Sequence, residues 1–281
     1  MGLERYENPE VVHEMNVGQA SPLREFVSLS LALVLGVVVF VVAVYLGSRW
    51  LLPWVPFAWE QRLAQPVASR LAAEVPGAPQ RYLQELADAL AAQMDLPPGM
   101  RVQVHWRADA TPNAFATLGG HVTVFQGLVD VLESENALAM VLAHEIAHLQ
   151  HRDPLVSAGS GLLVSLSLQA LLGSGSDSVI SQTSAALSRL EFSRQQERAA
   201  DAAALRALQR HYGHVRGADG FFRAMLQRPG LAHSAPEWLS THPDTAQRLQ
   251  RITEASEAAP ADARLTPLPA FLRTVNQSPS P

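Results

Sequence analysis

His144-Glu145-Ile146-Ala147-His148 sets two imidazoles four residues apart with a carboxylate between them. On a helix, residues four apart share a face, so both rings reach one metal ion. Glu145 lies beside that face, where it can take a proton from an attacking water. A catalytic zinc uses three protein ligands and keeps its fourth position open. A third histidine placed shortly after the motif would need Gly at 151 and His at 154, but the chain has His151 and Pro154, which excludes that class. A glutamate from a second helix is the other solution. Glu197 in SRQQERAAD is the best placed and Glu191 is a rival, and spacing alone leaves the choice open. Asp201 follows Glu197 by one turn on the same face, where a carboxylate can hold a ligating imidazole by its ring N–H.

These residues need two helices and a platform. Ser134 caps a helix whose Leu138, Val141, Leu142 and Leu149 form an apolar face, and that helix carries the two histidines. An alanine-rich segment from about 183 to 210 predicts the second helix. Residues 79–94 place Leu83, Leu86, Leu90 and Met94 on one stripe, stopped by Pro97-Pro98-Gly99. Alternation predicts strands at 101–107, through Val102, Val104 and Trp106, and at 121–125, after Gly119-Gly120. Thr241 and Asp244 resemble a capping box opening a helix with Leu249 and Ile252 inside. The fold class is α+β, predominantly helical with a small sheet. Proline and small residues dominate 257–281, which predicts a disordered tail after a domain at 60–256.

A polar tail, 1–25, precedes 22 charge-free residues from Phe26 to Gly47. At 1.5 Å per residue they cross a hydrocarbon core of about 30 Å. A cleavable leader has a shorter apolar run behind a basic start, whereas this preface is acidic, so a retained transmembrane anchor at 26–48 is expected. Trp50, Trp54, Phe57 and Trp59 follow it as an interfacial aromatic belt does. Arg5 and Arg24 on one side balance Arg49 and Arg62 on the other, leaving orientation open. Leu155–Gly173 is also charge-free but carries Ser157, Ser160, Ser165, Ser167 and Gln169. It fits a second span or a membrane-touching hairpin less well than a buried or interfacial helix. The net charge is −5 and all 21 basic residues are scattered arginines, so no basic field draws in nucleic acid. The absence of cysteine excludes disulfides, thiolate catalysis and cysteine-based zinc sites.

In order along the chain come HEIAH, ERAAD with Glu197 and Asp201, and Thr241-His242-Pro243 followed by Arg248. This set resembles the membrane-associated zinc metallopeptidases of the CaaX prenyl endopeptidase and HtpX type, whose pattern is HExxH, then ExxAD, then HPxxxxR. PNAFAT at 112–117 is similar to the asparagine-alanine segment before that family's edge strand. The resemblance covers roughly residues 80–255 and implies a gluzincin-type domain. It implies one zinc ion held by His144, His148 and Glu197, with Glu145 as general base and His242 near the scissile carbonyl, stabilising the oxyanion. Without the resemblance His242 reads as an exposed loop histidine, and His121, His151, His211, His214 and His233 keep that reading. The resemblance also implies a substrate bound extended along an edge strand near Asn113, Ala114 and 121–125, by backbone pairing that suits unfolded chains.

The implied activity is peptide hydrolysis by a single-pass, membrane-anchored endopeptidase acting on misfolded or damaged proteins. Its partners are protein or peptide substrates and the lipid bilayer, with no nucleic acid. Prenyl-protein processing ranks lower, because that branch has many spans around a chamber and this chain has one clear span. A zinc-stabilised chaperone or binding module is a third reading; Glu145 argues against it, since a structural site is more often closed by four protein ligands.

Overall fold

The computed structural model describes residues 21–71, 77–172, 192–227, 242 and 245–273. Contacts divide the chain into two units, Met1–Ala43 and Val44–Pro281. Helix α1, Pro22–Leu51, supplies the described part of the first unit. The candidate span Pro22–Trp54 is the one helix among the described residues that is long and apolar enough to cross a membrane.

A short 3-10 turn, Leu52–Trp54, leads to α2, Phe57–Leu71. The expected aromatic belt divides here. Trp50, Trp54 and Trp59 are 71%, 78% and 61% exposed, while Phe57 is buried. The cause is helix rotation: Phe57, Glu60 and Ala64 lie on one face of α2 and dock together on the domain, which turns Trp59 and Leu63 outward.

Helix α3, Ala78–Ala91, buries Leu83, Leu86 and Leu90 as their spacing predicts. It packs on the sheet formed by β1 (Gln103–Arg107), β2 (Ala114–Thr117) and β3 (His121–Phe125). The strand order is β1-β3-β2, with β3 parallel to β1 and antiparallel to β2. Residues 121–125 are therefore the central strand, with both sides paired, and cannot also offer the substrate an edge. The edges are β1 and β2, so the asparagine-alanine segment is itself an edge strand rather than the preface to one. Gly119 and Gly120 turn the chain between β2 and β3 at φ +83° and +86°, where a Cβ on Gly120 would lie 2.4 Å from the Arg101 carbonyl. His121 is buried on β3, its Nδ1 2.9 Å from His105 Nε2, and is no loop histidine.

The remaining helices are α4 (Gln126–Val131), α5 (Glu135–Gln150), α6 (Asp153–Leu172), α7 (Arg194–Tyr212), α8 (Gly220–Gln227) and α9 (Thr245–Glu257). Every residue of α5 from Asn136 to Leu149 is buried, because α3, β2, α7 and α8 surround it. A helix enclosed on all sides needs apolar residues all round, so the one-sided face read from its leucines is only part of its packing. Leu155, Val156, Ala158 and Ser160 bury the start of α6, and Ser160 Oγ lies 2.8 Å from Ser48 Oγ. The first half of α6 is thus a packed helix, while Leu163 and Leu166 beyond it are exposed. The residues between 183 and 191 expected to open α7, with Thr241 and Asp244, lie outside the described residues.

The expectation of disorder after Glu257 fails for 258–273. Ser134 and Pro267 form a β-bridge, Asn136 Oδ1 accepts the Thr266 N–H at 2.8 Å, and Leu268 and Leu272 are buried. Composition suggests a solvated tail, but two leucines and backbone bonds to the start of α5 suffice to fix it.

Candidate metal centre

Helix α5 begins where Ser134 Oγ accepts the Ala137 N–H at 3.3 Å, and its last turns carry His144, Glu145 and His148. Helix α7 begins with a full capping box: Ser193 Oγ accepts the Gln196 N–H, and Gln196 Oε1 accepts the Ser193 N–H. Glu197 falls in the first turn after that cap. Ala147 of α5 packs against Ala200 and Ala203 of α7. Small side chains let the two helices approach closely enough for Glu197 to meet the histidines.

His144 Nε2 and His148 Nε2 are 3.1 Å apart. Glu197 Oε1 is 3.3 Å from His148 Nε2, and its Oε2 is 3.4 Å from His144 Nε2. Tetrahedral zinc with bonds of about 2.0–2.1 Å has neighbouring donors about 3.3 Å apart, so this spacing suits one such ion. Two imidazoles and a carboxylate are also donors that zinc accepts. His242 joins the group: its Nδ1 is 3.0 Å from Glu197 Oε1 and 3.4 Å from His144 Nε2. Potential ligand atoms of His144, His148, Glu197 and His242 all lie within 4.8 Å of one another, and all four residues are buried. The isolated loop reading of His242 does not survive this.

Carboxylates fix the rings from behind. Asp201 Oδ1 is 3.0 Å from His144 Nδ1, and Asp153 Oδ2 is 2.8 Å from His148 Nδ1. Each ring thereby turns its Nε2 toward the shared centre. The sequence reading anticipated Asp201 but missed Asp153, which opens α6 just past the α5–α6 turn and accepts from Gln196 Nε2 at 2.7 Å. It also gave Arg248 no role. Arg248 Nε and Nη2 donate to Asp201 Oδ2 and Oδ1 at 2.9 and 2.8 Å, a bidentate pair, and Nη1 lies 2.5 Å from Glu197 Oε2.

Glu145 is fully buried. Its Oε2 accepts the Ala116 N–H of β2 at 2.9 Å. Its Oε1 lies 3.7 Å from His242 Nε2 and has no hydrogen-bond partner among the described residues. Phe192 stacks on the His148 ring with centroids 4.0 Å apart. Asn113 and Ala114 sit at the head of the edge strand, both buried, and Asn113 Oδ1 is likewise without a partner among the described residues. Glu191, the rival carboxylate, lies outside the described residues.

The electrostatics are those of anions gathered round a place for a cation. Burial raises the Glu197 carboxyl, but hydrogen bonds with His144, His148 and His242 outweigh it and hold the group far below the usual carboxylate range. Burial likewise raises Asp201, and His144 with Arg248 brings it below the ordinary value. Burial lowers His148, yet Asp153 and Glu197 push it up to about 9. Without a metal, protons on imidazole balance these carboxylates; a divalent cation would take their place.

Comparison with known proteins identifies the family. The model of peptidase family M48 matches residues 77–256, and the chain belongs to that family of zinc-dependent metallopeptidases. It is 31% identical over 159 residues to the mitochondrial metalloendopeptidase OMA1 of Schizosaccharomyces pombe, covering 55% of this chain and 47% of that one. It is 30% identical over 222 residues to a protease HtpX homolog of Salinibacter ruber, covering 67% and 79% respectively. The beta-barrel assembly-enhancing protease of Escherichia coli is 29% identical over 177 residues, 54% of this chain. This chain thus spans about half the length of the OMA1 protein and 36% of the Escherichia coli one.

Proposed function

We propose that the chain is a single-pass, membrane-anchored zinc endopeptidase of the gluzincin type, set in a bacterial inner membrane and hydrolysing peptide bonds of misfolded or damaged proteins. His144, His148 and Glu197 hold the zinc, with Asp201 and Asp153 orienting the two imidazoles. When bound, zinc supplies the Lewis acidity that polarises a peptide carbonyl and acidifies water. Glu145 takes the proton of the attacking water and returns it to the leaving amine. His242 donates to the oxygen that becomes negative as the carbonyl carbon turns tetrahedral.

The substrate lies extended along β2. The Phe125 N–H donates to the Asn113 carbonyl at 3.0 Å, so alternation turns the backbone of Ala114 and Ala116 away from β3 toward the open edge. Asn113 and Ala114 then meet the substrate beside the cluster, and Ala116 holds the base.

One observation carries this reading. Glu145 is a fully buried carboxylate with one oxygen fixed by the edge strand and the other directed toward the histidine–glutamate cluster. A carboxylate so placed has little structural value on its own, and proton transfer beside a bound substrate explains it. A second reading keeps one observation in its favour: His242 stands at ligand distance, so a closed four-ligand site in a chaperone-like module is the rival.

The test is Glu145→Gln. That variant keeps stoichiometric zinc by metal analysis and loses casein hydrolysis by about 10²–10⁴-fold or more. Near-wild-type turnover would remove Glu145 as the base, and a zinc-loaded wild-type chain without turnover would favour the closed site.

A further inference from the structure

One buried carboxylate outside the cluster ties two parts of the site together. The inner face of α2 is keyed to the β2–β3 turn: a Cβ on Gly119 would lie 2.6 Å from Ala64 Cβ, and one on Gly120 would lie 3.5 Å from the Phe57 ring. Glu60, 1% exposed, projects from the same face. Its Oε1 accepts the Gly119 N–H at 2.9 Å, while its Oε2 pairs with Arg152 Nε at 2.8 Å. Arg152 is itself buried and occupies φ +61°, a conformation side chains seldom adopt, at the turn between α5 and α6. Its guanidinium carbon is 6.0 Å from the Phe57 ring centre.

Each tie ends beside a residue of the site. Three residues before Gly119, the Ala116 N–H holds Glu145. Immediately after Arg152, Asp153 holds His148. A buried ion pair is a weak source of stability, since well-packed apolar residues often replace one without loss. Stability therefore does not account for a charge pair sealed at this junction.

We propose that Glu60 is a positioning residue of the peptidase site: one carboxylate, by binding both turns, sets the distance between the edge strand and the α5 helix. That distance places Glu145 against the cluster and against a substrate lying on β2. The proposal rests on Glu145 acting as the base, as argued above.

The test uses the full chain in a lipid nanodisc and two variants. The Glu60→Met/Arg152→Leu double variant removes both charges at similar volume. Glu60→Asp keeps the charge but, one methylene shorter, cannot span both turns. Unfolding midpoint, zinc content, kcat and KM on casein are measured, with hydrogen exchange of the 114–120 segment in the metal-free chain. The double variant should keep its midpoint and stoichiometric zinc, lose about 10–100-fold in kcat with a smaller change in KM, and exchange faster at 116–120. Glu60→Asp should change in the same direction by less. Wild-type kcat and exchange in both variants overturn the proposal, as does a loss of kcat that only tracks a loss of folded protein. If the double variant does not fold, Glu60→Asp is judged by the same criteria. If zinc-loaded wild type hydrolyses nothing, the functional reading fails, and the metal-free exchange still decides whether Glu60 holds the strand.

Discussion

Arg248 is the structural cation of the centre, and replacing it with methionine measures how strongly the charge balance holds the domain together. The substitution keeps the length of the side chain and its contact with Phe222, over whose ring the guanidinium lies at 5.5 Å. It strips Asp201 of two charge-assisted hydrogen bonds and Glu197 of its 2.5 Å ion pair. Removing one partner of a buried pair costs about 3–5 kcal/mol. His144 still serves Asp201, and His148 with His242 still serves Glu197, so the lower end applies: about 3 kcal/mol in chelated protein. With zinc bound, the ion answers the charge of Glu197, only the loss at Asp201 remains, and the cost falls below that in chelated protein. Denaturant unfolding of wild type and Arg248→Met, each with chelator and with excess zinc, reads both values. Adding Asp201→Asn should recover part of the loss, because the stranded charge is then gone, with a coupling of about 0.5–3 kcal/mol. A loss below about 1 kcal/mol in chelator, or an Asp201→Asn change that adds fully to it, refutes the reasoning.

Three further outcomes are expected. Asp153→Ala should weaken zinc binding about 10–100-fold in a competition titration, as Asp201→Ala should, and equal affinity to wild type would remove Asp153 from the site. His242→Ala should keep zinc and lose about 10²–10³-fold in kcat with little change in KM, whereas loss of zinc from that variant would assign His242 as a fourth ligand. The third concerns pH. Burial, with the charges of His121 and Arg107, lowers His105 to about 4, and burial lowers His121 as well. The unfolded chain therefore binds protons that the folded chain does not, and stability falls as pH drops from about 6.5 toward 4. Urea unfolding across that range should show a slope that His105→Gln/His121→Gln reduces, most clearly above about pH 5 where the depressed carboxylates Glu197 and Asp201 do not yet contribute, and an unchanged slope there would mean the pair is not a source of it.

What could be read from the sequence was local. The four-residue spacing of His144 and His148, and of Glu197 and Asp201, fixes which side chains share a helical face. Ser134 and the 83-86-90 leucine stripe marked their helices for the same reason. The failures are all matters of tertiary assembly. The strand 114–117 is four residues of mostly small side chains, with little alternation to reveal it, and only its pairing with 121–125 makes it an edge. Asp153 belongs to a different helix from His148 and meets it only because of the tight turn at Arg152. Phe57 looked like its tryptophan neighbours because composition says nothing about how a helix is rotated. Leu268 and Leu272 were lost among prolines, although two buried side chains are enough to anchor a segment.

The packed segment after α9 also bears on when the site comes into being. The Glu135 N–H at the start of α5 donates to the Thr266 carbonyl, and Gln126 donates to the carbonyl of Leu272, so the helix bearing His144 and His148 is finished at its amino end by residues made more than a hundred positions later. At roughly 5–20 residues per second, synthesis takes on the order of 6–25 s to run from His148 to Leu272. His242 also belongs to that late stretch. During that interval the nascent chain carries the histidine motif without the residues that complete the cluster, Glu197 and His242, and without the partner that the first N–H of the motif's helix meets in the folded chain.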